Sequence, residues 1–189
     1  MKIAVSSYSF QKYINQGIMT QLDTVAKAHA LGFSAIEFTD LAPCENPSVE
    51  EQKACAKAIR AEADKYGMEI VAYAIGASLY YENEQDSLAE IERLKAQLDV
   101  ASILGAKILR HDVCYSLGKT GNARSFDRML PTLAANIRQV TEYAETLGIR
   151  TCTENHGYIV QDSDRMERLF NAVAHDNYGL LVDIGNFAC

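Results

Sequence analysis

A glycine followed by a short apolar run recurs five times along this chain of 189 residues. Each glycine ends a stretch of helical periodicity, and the run after it has the length of a β-strand. Successive glycines lie 35, 38, 43 and 31 residues apart, at Gly32, Gly67, Gly105, Gly148 and Gly179. This spacing suits one strand, one helix and their loops, and we interpret each glycine as a helix C-cap. The repeat predicts parallel strands joined by helical crossovers.

The chain opens with one more strand-like run at residues 2–6, so six strands are expected. Six parallel strands can form an open doubly wound sheet, or most of a (β/α)8 barrel that closes with eight. No glycine-rich phosphate turn follows the first strand, and this disfavours the doubly wound sheet without excluding it. We therefore expect an α/β fold of the (β/α)8 TIM-barrel type with about the first six βα units present. No linker or composition break is visible, so 1–189 is predicted to be a single, incomplete barrel domain.

Local signals place the ends of the predicted elements. Capping-box patterns, Thr20 with Asp23 and Ser48 with Glu51, mark two helix starts. The later strands are predicted at 69–73, 107–110 and 151–154, with a helix at about 164–174. The second strand is predicted to end at residue 37 and the sixth at residue 183.

Charge and cysteine content restrict the partners and the compartment. The formal net charge is −7 without any cluster of Lys or Arg, which argues against a nucleic-acid partner. Five scattered cysteines, an odd number, are typical of reduced thiols in a cytosolic enzyme. The polar N-terminal stretch does not match a signal peptide, and no apolar run approaches the ~20 residues that cross a bilayer. We expect a cytoplasmic protein with no membrane partner.

Two predicted strands end in a carboxylate, at Glu154 and at Asp183. The carboxyl ends of parallel barrel strands meet at one rim, where metal ligands and acid/base groups are placed. Two carboxylates on neighbouring strands suit a hard divalent ion such as Mg²⁺ or Mn²⁺. The alternative is that both acids stabilise the N-termini of the helices that follow them.

Three further side chains close to strand ends have two interpretations each. His156, beside Gly157, and His111 are either surface histidines or functional groups. Arg110 ends the fourth predicted strand, and an inward guanidinium normally requires an anionic partner. That partner is either structural, with Glu37 or Glu154 as candidates, or a substrate.

The strand ends resemble the sugar phosphate isomerase/epimerase family, which has a xylose isomerase-like TIM barrel. The resemblance covers the chain through KIAVSSYSF, LGFSAIEFTDL, LGAKILRHDV, GIRTCTENHG and GLLVDIGNF. It implies that Glu154 and Asp183 are two of four ligands to one divalent metal. It also places His156 and Asn186 where relatives contact substrate hydroxyls. The other residues that it places on the rim are Tyr8, Glu37 and His111, while Arg110 is a candidate for substrate binding.

The resemblance implies a metal-dependent sugar or sugar phosphate isomerase or epimerase that transfers a proton next to a carbonyl, through an enediolate. Glu154 would be both a ligand and one half of the acid/base pair. The expected cofactor is Mn²⁺, Mg²⁺ or Co²⁺, with Zn²⁺ as a further candidate, and the expected partner is a sugar or polyol, with homo-oligomerisation left open. The family's ligands from strands 7 and 8 have no counterpart before Cys189, so this chain by itself is expected to be inactive or to need a partner chain. The alternatives are a non-catalytic polyol-binding barrel, a related inosose or keto-sugar dehydratase, and an endonuclease of the same barrel superfamily, which the acidic charge disfavours.

Overall fold

The computed structural model describes residues 3–117, 124–157 and 159–188. The strands are β1 (Val5–Ser6), β2 (Ala35–Thr39), β3 (Glu69–Ile75), β4 (Ile108–His111), β5 (Arg150–Glu154) and β6 (Tyr178–Leu181). The helices are α1 (Gln11–Asn15), α2 (Asp23–Ala30), α3 (Val49–Tyr66), α4 (Glu84–Leu104), α5 (Phe126–Thr146) and α6 (Ser163–Val173). Short 3-10 helices cover Ser7–Phe10 and Asn186–Ala188.

The six strands form one sheet in chain order, β1-β2-β3-β4-β5-β6. The pairs β1/β2, β2/β3 and β5/β6 are parallel, with Val5 opposite Ile36 and Glu154 opposite Leu181. Consecutive order with a helix after most strands is the arrangement of a TIM barrel. The predicted fold, about the first six βα units of such a barrel, is confirmed.

The chain divides into two compact units, Met1–Ala74 with Ala96–Leu109 and Ile75–Lys95 with Arg110–Cys189. The prediction of a single domain over 1–189 stays a prediction. In the first unit, the buried Tyr73 accepts a hydrogen bond from the Leu41 N–H (3.2 Å) and donates one to Gln97 Oε1 (2.9 Å). Gln97 donates to Gln52 Oε1, and Gln52 donates to the Leu41 carbonyl. This closed ring of polar groups ties β3 to α3 and α4.

In the second unit, buried hydroxyl groups join β5 to its neighbours. The Thr141 and Thr151 hydroxyls lie 2.8 Å apart, which connects α5 to β5. The Tyr178 hydroxyl donates to Thr153 Oγ1 at 2.7 Å, which connects β6 to β5. Burial raises the pKa of Tyr178 well above its ordinary value, so this phenol stays a donor. These bonds lie beneath the carboxyl end of β5 and hold it in place.

Most of the predicted helix ends are confirmed. Ser48 and Glu51 form a complete capping box at the start of α3, and Gly67 ends that helix with φ +62°. Thr20 and Asp23 bond to each other as predicted, although α2 itself begins at Asp23. Gly179 was misassigned: it lies inside β6, and Ala174 takes the left-handed C-cap of α6 with φ +46°.

Several predicted strand ends are corrected by a few residues. The second strand continues to Thr39 and β3 to Ile75, while β4 covers residues 108–111 instead of 107–110. β6 ends at Leu181, so Asp183 lies two residues past the strand and not at its last position. Among the residues that the structure describes, no helix is long and apolar enough to span a membrane.

Candidate functional site

An ion pair joins the carboxyl ends of β4 and β5. The Nε and Nη2 atoms of Arg110 lie 2.7 Å and 2.5 Å from Glu154 Oε2, and its Nη1 lies 3.0 Å from Asp112 Oδ1. The contact with Asp112 Oδ1 is an ion pair without the alignment of a hydrogen bond. The three side chains are between 12% and 15% exposed, so these charges are largely withdrawn from water. Glu154, one of the anionic partners considered for Arg110, therefore pairs with it.

His156 reaches the same group of charges from the turn after β5. Its Nδ1 lies 3.4 Å from Asp112 Oδ1, and its side chain is 52% exposed. The His156 N–H donates to the Glu154 carbonyl at 2.8 Å, and Gly157 follows with φ +69°. The backbone thus turns sharply after Glu154, which leaves the imidazole between the ion pair and solvent.

Asn186 supplies an amide on the other side of Glu154. Its Nδ2 donates to Glu154 Oε1 at 3.1 Å, and its carbonyl accepts from Gln161 Nε2 at 2.6 Å. The two carboxylate oxygens of Glu154 therefore have different neighbours, the Arg110 guanidinium at Oε2 and a neutral amide at Oε1. Glu154, His156, Asn186 and Arg110, all predicted site residues, are brought together.

Asp183 is held next to this group through its backbone. Its N–H donates to Asn155 Oδ1 at 2.7 Å, and its carbonyl accepts from Asn155 Nδ2 at 2.9 Å. The Asn155 side chain is buried, so it continues the β5/β6 hydrogen bonding past the last paired residue of β6. Asp183 Oδ1 also accepts from the Gly185 N–H at 2.8 Å. A buried amide thus fixes the backbone that carries the second predicted ligand.

His111 differs from the other predicted site residues because it is fully buried. Its Nδ1 lies 2.9 Å from the Asp112 carbonyl oxygen, and its ring stacks on Tyr178 with 6.4 Å between centroids. Its Nε2 has no hydrogen-bond partner among the residues that the structure describes. Desolvation lowers the pKa of this imidazole, so the neutral form is favoured.

The first unit contains the two remaining predicted residues. Tyr8 lies in the 3-10 helix after β1 and is 70% exposed, and Glu37 is a partly buried residue of β2. Their assignment to substrate binding stays a prediction.

The sequence reading missed Asp112 and Asn155. Asp112 follows β4 directly, so an acid after a strand end was an available signal. Asn155 carried none, because its role depends on a residue 28 positions later in the chain.

The donor atoms of the predicted ligands fit a divalent cation in type. Glu154 and Asp183 offer carboxylate oxygens, which hard cations prefer. Asp112, Glu154 and Asp183 give three carboxylates against the one guanidinium of Arg110. However, no group of three or more His, Cys, Asp or Glu residues able to hold a metal exists within the described ranges. The assignment of Glu154 and Asp183 as metal ligands stays a prediction.

Residues 25–189 match the family model described as xylose isomerase-like TIM barrel, which is most of the chain. The chain belongs to this family. No curated protein matches it.

Solved structures of similar fold confirm the architecture. An L-ribulose 3-epimerase superposes with a TM-score of 0.75 at 18% identity, covering 100% of this chain and 62% of its own. A D-psicose 3-epimerase from Clostridium cellulolyticum H10, with D-tagatose, superposes with a TM-score of 0.75 at 16% identity. The match covers 100% of this chain and 65% of the epimerase chain. A probable 3-DHS dehydratase, AsbF from Bacillus anthracis, superposes with a TM-score of 0.71 at 18% identity. The match covers 98% of this chain and 64% of the dehydratase chain. At such identities the likeness shows the fold, and this chain spans less than two thirds of each relative.

Proposed function

We propose that this chain carries part of the active site of a divalent-metal-dependent sugar or sugar phosphate isomerase or epimerase. The observation that carries the proposal is the arrangement of Glu154, whose two oxygens face the Arg110 guanidinium and the Asn186 amide. The similarity in fold to two sugar epimerases supports the same reaction class.

In this proposal Glu154 removes a proton from the carbon next to the substrate carbonyl and forms an enediolate. Arg110 holds Oε2, which leaves Oε1 on the Asn186 side to receive the proton. His156, which is half exposed, and Asn186 would hydrogen-bond substrate hydroxyls and so fix the carbon at the carboxylate. A divalent ion held by Glu154 and Asp183 would polarise the carbonyl oxygen, and Mn²⁺, Mg²⁺ or Co²⁺ is the proposed ion.

Hydrogen–deuterium exchange tests the proton transfer directly. A ketohexose incubated with the protein and Mn²⁺ in D₂O should take up deuterium at the carbon next to the carbonyl, which NMR detects. Exchange needs only one base. It therefore measures proton removal by Glu154 even if the second base of an epimerisation lies elsewhere. Glu154→Gln should abolish exchange, while Glu145→Gln, at a side chain 61% exposed on α5, should not change it.

The outcomes separate the candidate functions, with circular dichroism used to confirm that each variant is folded. Exchange that persists in Glu154→Gln would remove Glu154 from the mechanism. No exchange by the unmodified chain would favour a non-catalytic barrel that binds a polyol or needs a partner chain. Loss of water to give a conjugated, ultraviolet-absorbing product would favour the dehydratase, for which the fold of the probable dehydratase is the supporting observation.

A further inference from the structure

A cleft of about 230 Å³ lies between the loops that follow β3 and β4 in the second unit. Its lining residues share aromatic or hydroxyl-bearing side chains, apart from one acid and one leucine: Ser78, Tyr80, Tyr81, Glu82, Tyr115, Ser116 and Leu117. The volume is below the roughly 300–1,000 Å³ of pockets for drug-sized ligands, so it suits a single ring.

Gly76 connects this cleft to the charged cluster of Arg110, Asp112 and Glu154. A Cβ added at Gly76 would lie 2.9 Å from the Tyr115 hydroxyl and 3.9 Å from Asp112 Oδ2. The φ of Gly76 is not positive, so glycine provides room here and no unusual backbone conformation. The Tyr115 hydroxyl and the Asp112 carboxylate thus approach the same bare Cα. A ligand bound at the charged cluster would therefore lie next to the cleft.

Hydrogen bonds fix the backbone of the loop after β3 at residues 76–79 and join it to Val113 after β4. Glu90 accepts from the Ser78 N–H at 2.9 Å and pairs with Arg93, which donates to the Gly76 carbonyl at 2.7 Å. The Leu79 N–H donates to the Val113 carbonyl at 2.7 Å, which joins one loop to the other. The wall of the cleft that the first loop forms is therefore preorganised, which lowers the entropy cost of binding.

The chemistry of the lining favours an uncharged polyhydroxy ring. Tyr81 and Tyr115 are 39% and 66% exposed, so they offer ring faces to the apolar side of a sugar as well as hydroxyls for its edge. Ser78 and Ser116 add further hydroxyls. The lining includes one carboxylate, Glu82, and neither Lys nor Arg, whereas phosphate recognition relies on cations or clustered N–H groups.

We propose that this cleft is a second subsite that binds a neutral, non-reacting sugar ring, so that the natural substrate is a glycoside larger than one monosaccharide. This inference rests on the proposed function for the reacting end of the substrate. The cleft then contributes binding energy remote from the reacting carbon.

Saturation-transfer NMR with methyl glucoside tests the subsite without any turnover. We expect saturable transfer from tyrosine ring protons to the glucoside. The dissociation constant should rise about tenfold in Tyr115→Ala, in line with the loss of one aromatic contact. Tyr81→Ala should also raise the dissociation constant, and it replaces Tyr115→Ala as the test if that variant does not fold. Tyr13→Ala is the matched control, since Tyr13 is 50% exposed on α1 and does not line the cleft.

Absence of saturable binding, or equal binding in Tyr115→Ala and the unmodified chain, would overturn the inference. Tighter binding of glucose 6-phosphate than of methyl glucoside would overturn the assignment to a neutral ring. Because this readout does not involve proton exchange, a chain that binds the glucoside but shows no exchange would count against the proposed function alone.

Discussion

Arg110→Met deletes the guanidinium that bridges Glu154 and Asp112 while keeping an unbranched side chain. The two carboxylates lie 2.5 Å and 3.0 Å from guanidinium nitrogens, and their side chains are 15% and 14% exposed. Removing one partner of a buried ion pair costs roughly 3–5 kcal/mol, because a desolvated charge is left unpaired. The residual exposure places our expectation at the lower end, a loss of about 3 kcal/mol in the free energy of unfolding.

Urea denaturation followed by circular dichroism measures this loss, with the slope m compared between variants to show that the unfolded state is unchanged. Lys95→Met is the matched control for the second unit, because Lys95 pairs with Glu92, whose side chain is 70% exposed. An exposed pair contributes at most about 1 kcal/mol, so the control should lose less than that.

A double-mutant cycle with Glu154→Leu isolates the pair itself. If Arg110 is the structural counter-ion of Glu154, the double variant should be more stable than the sum of the single losses predicts, by about 1 kcal/mol or more. A loss below about 0.5 kcal/mol in Arg110→Met, or additive losses in the cycle, would refute the reasoning. Arg110 would then be better explained as a residue kept for substrate binding.

Three further predictions concern single residues. Asn155→Leu leaves the backbone N–H and carbonyl of Asp183 unpaired, so we expect the free energy of unfolding to fall by about 2 kcal/mol or more. Mn²⁺ binding, measured by electron paramagnetic resonance, should weaken roughly tenfold. An unchanged Mn²⁺ affinity would contradict a positioning role for Asn155. Burial lowers the pKa of His111 below its ordinary 6.5, so the unfolded chain binds this proton first and stability should fall as the pH drops through 6.5. The urea midpoint should fall less between a pH above 6.5 and a pH below it in His111→Asn than in the unmodified chain. An equal fall in both proteins would count against a role of His111 in this pH dependence. Ser48→Ala removes the capping box of α3 and should cost about 1 kcal/mol, read as a lower urea midpoint, whereas Ser163→Ala, one residue after the N-cap of α6, should change it little.

The sequence by itself determined the order and type of the elements. The recurrence of glycine and apolar runs predicted six parallel strands joined by helices, because helix caps and strand periodicity depend on residues close together in the chain. The order of those strands in the sheet was expected only from the barrel interpretation, and the structure confirms it. It also placed Glu154 at the end of β5, since a carboxylate after an apolar or β-branched run is typical of a strand end. Gly179 shows the limit of such reasoning, because a glycine inside a strand and one at a C-cap share the same local pattern.

Only the tertiary structure decided which side chains contact one another at the site. The pairing of Arg110 with Glu154 joins residues 44 positions apart, and the support of Asp183 by Asn155 joins residues 28 apart. Neither separation follows a helical or strand period, so the sequence left both Glu37 and Glu154 as candidate partners of Arg110 and gave no partner for Asn155. The complete burial of His111 likewise depends on β6, whose Tyr178 stacks on its ring. Contacts of this kind arise when strands distant in the chain become neighbours, and hydrogen bonding and desolvation then give each side chain its role.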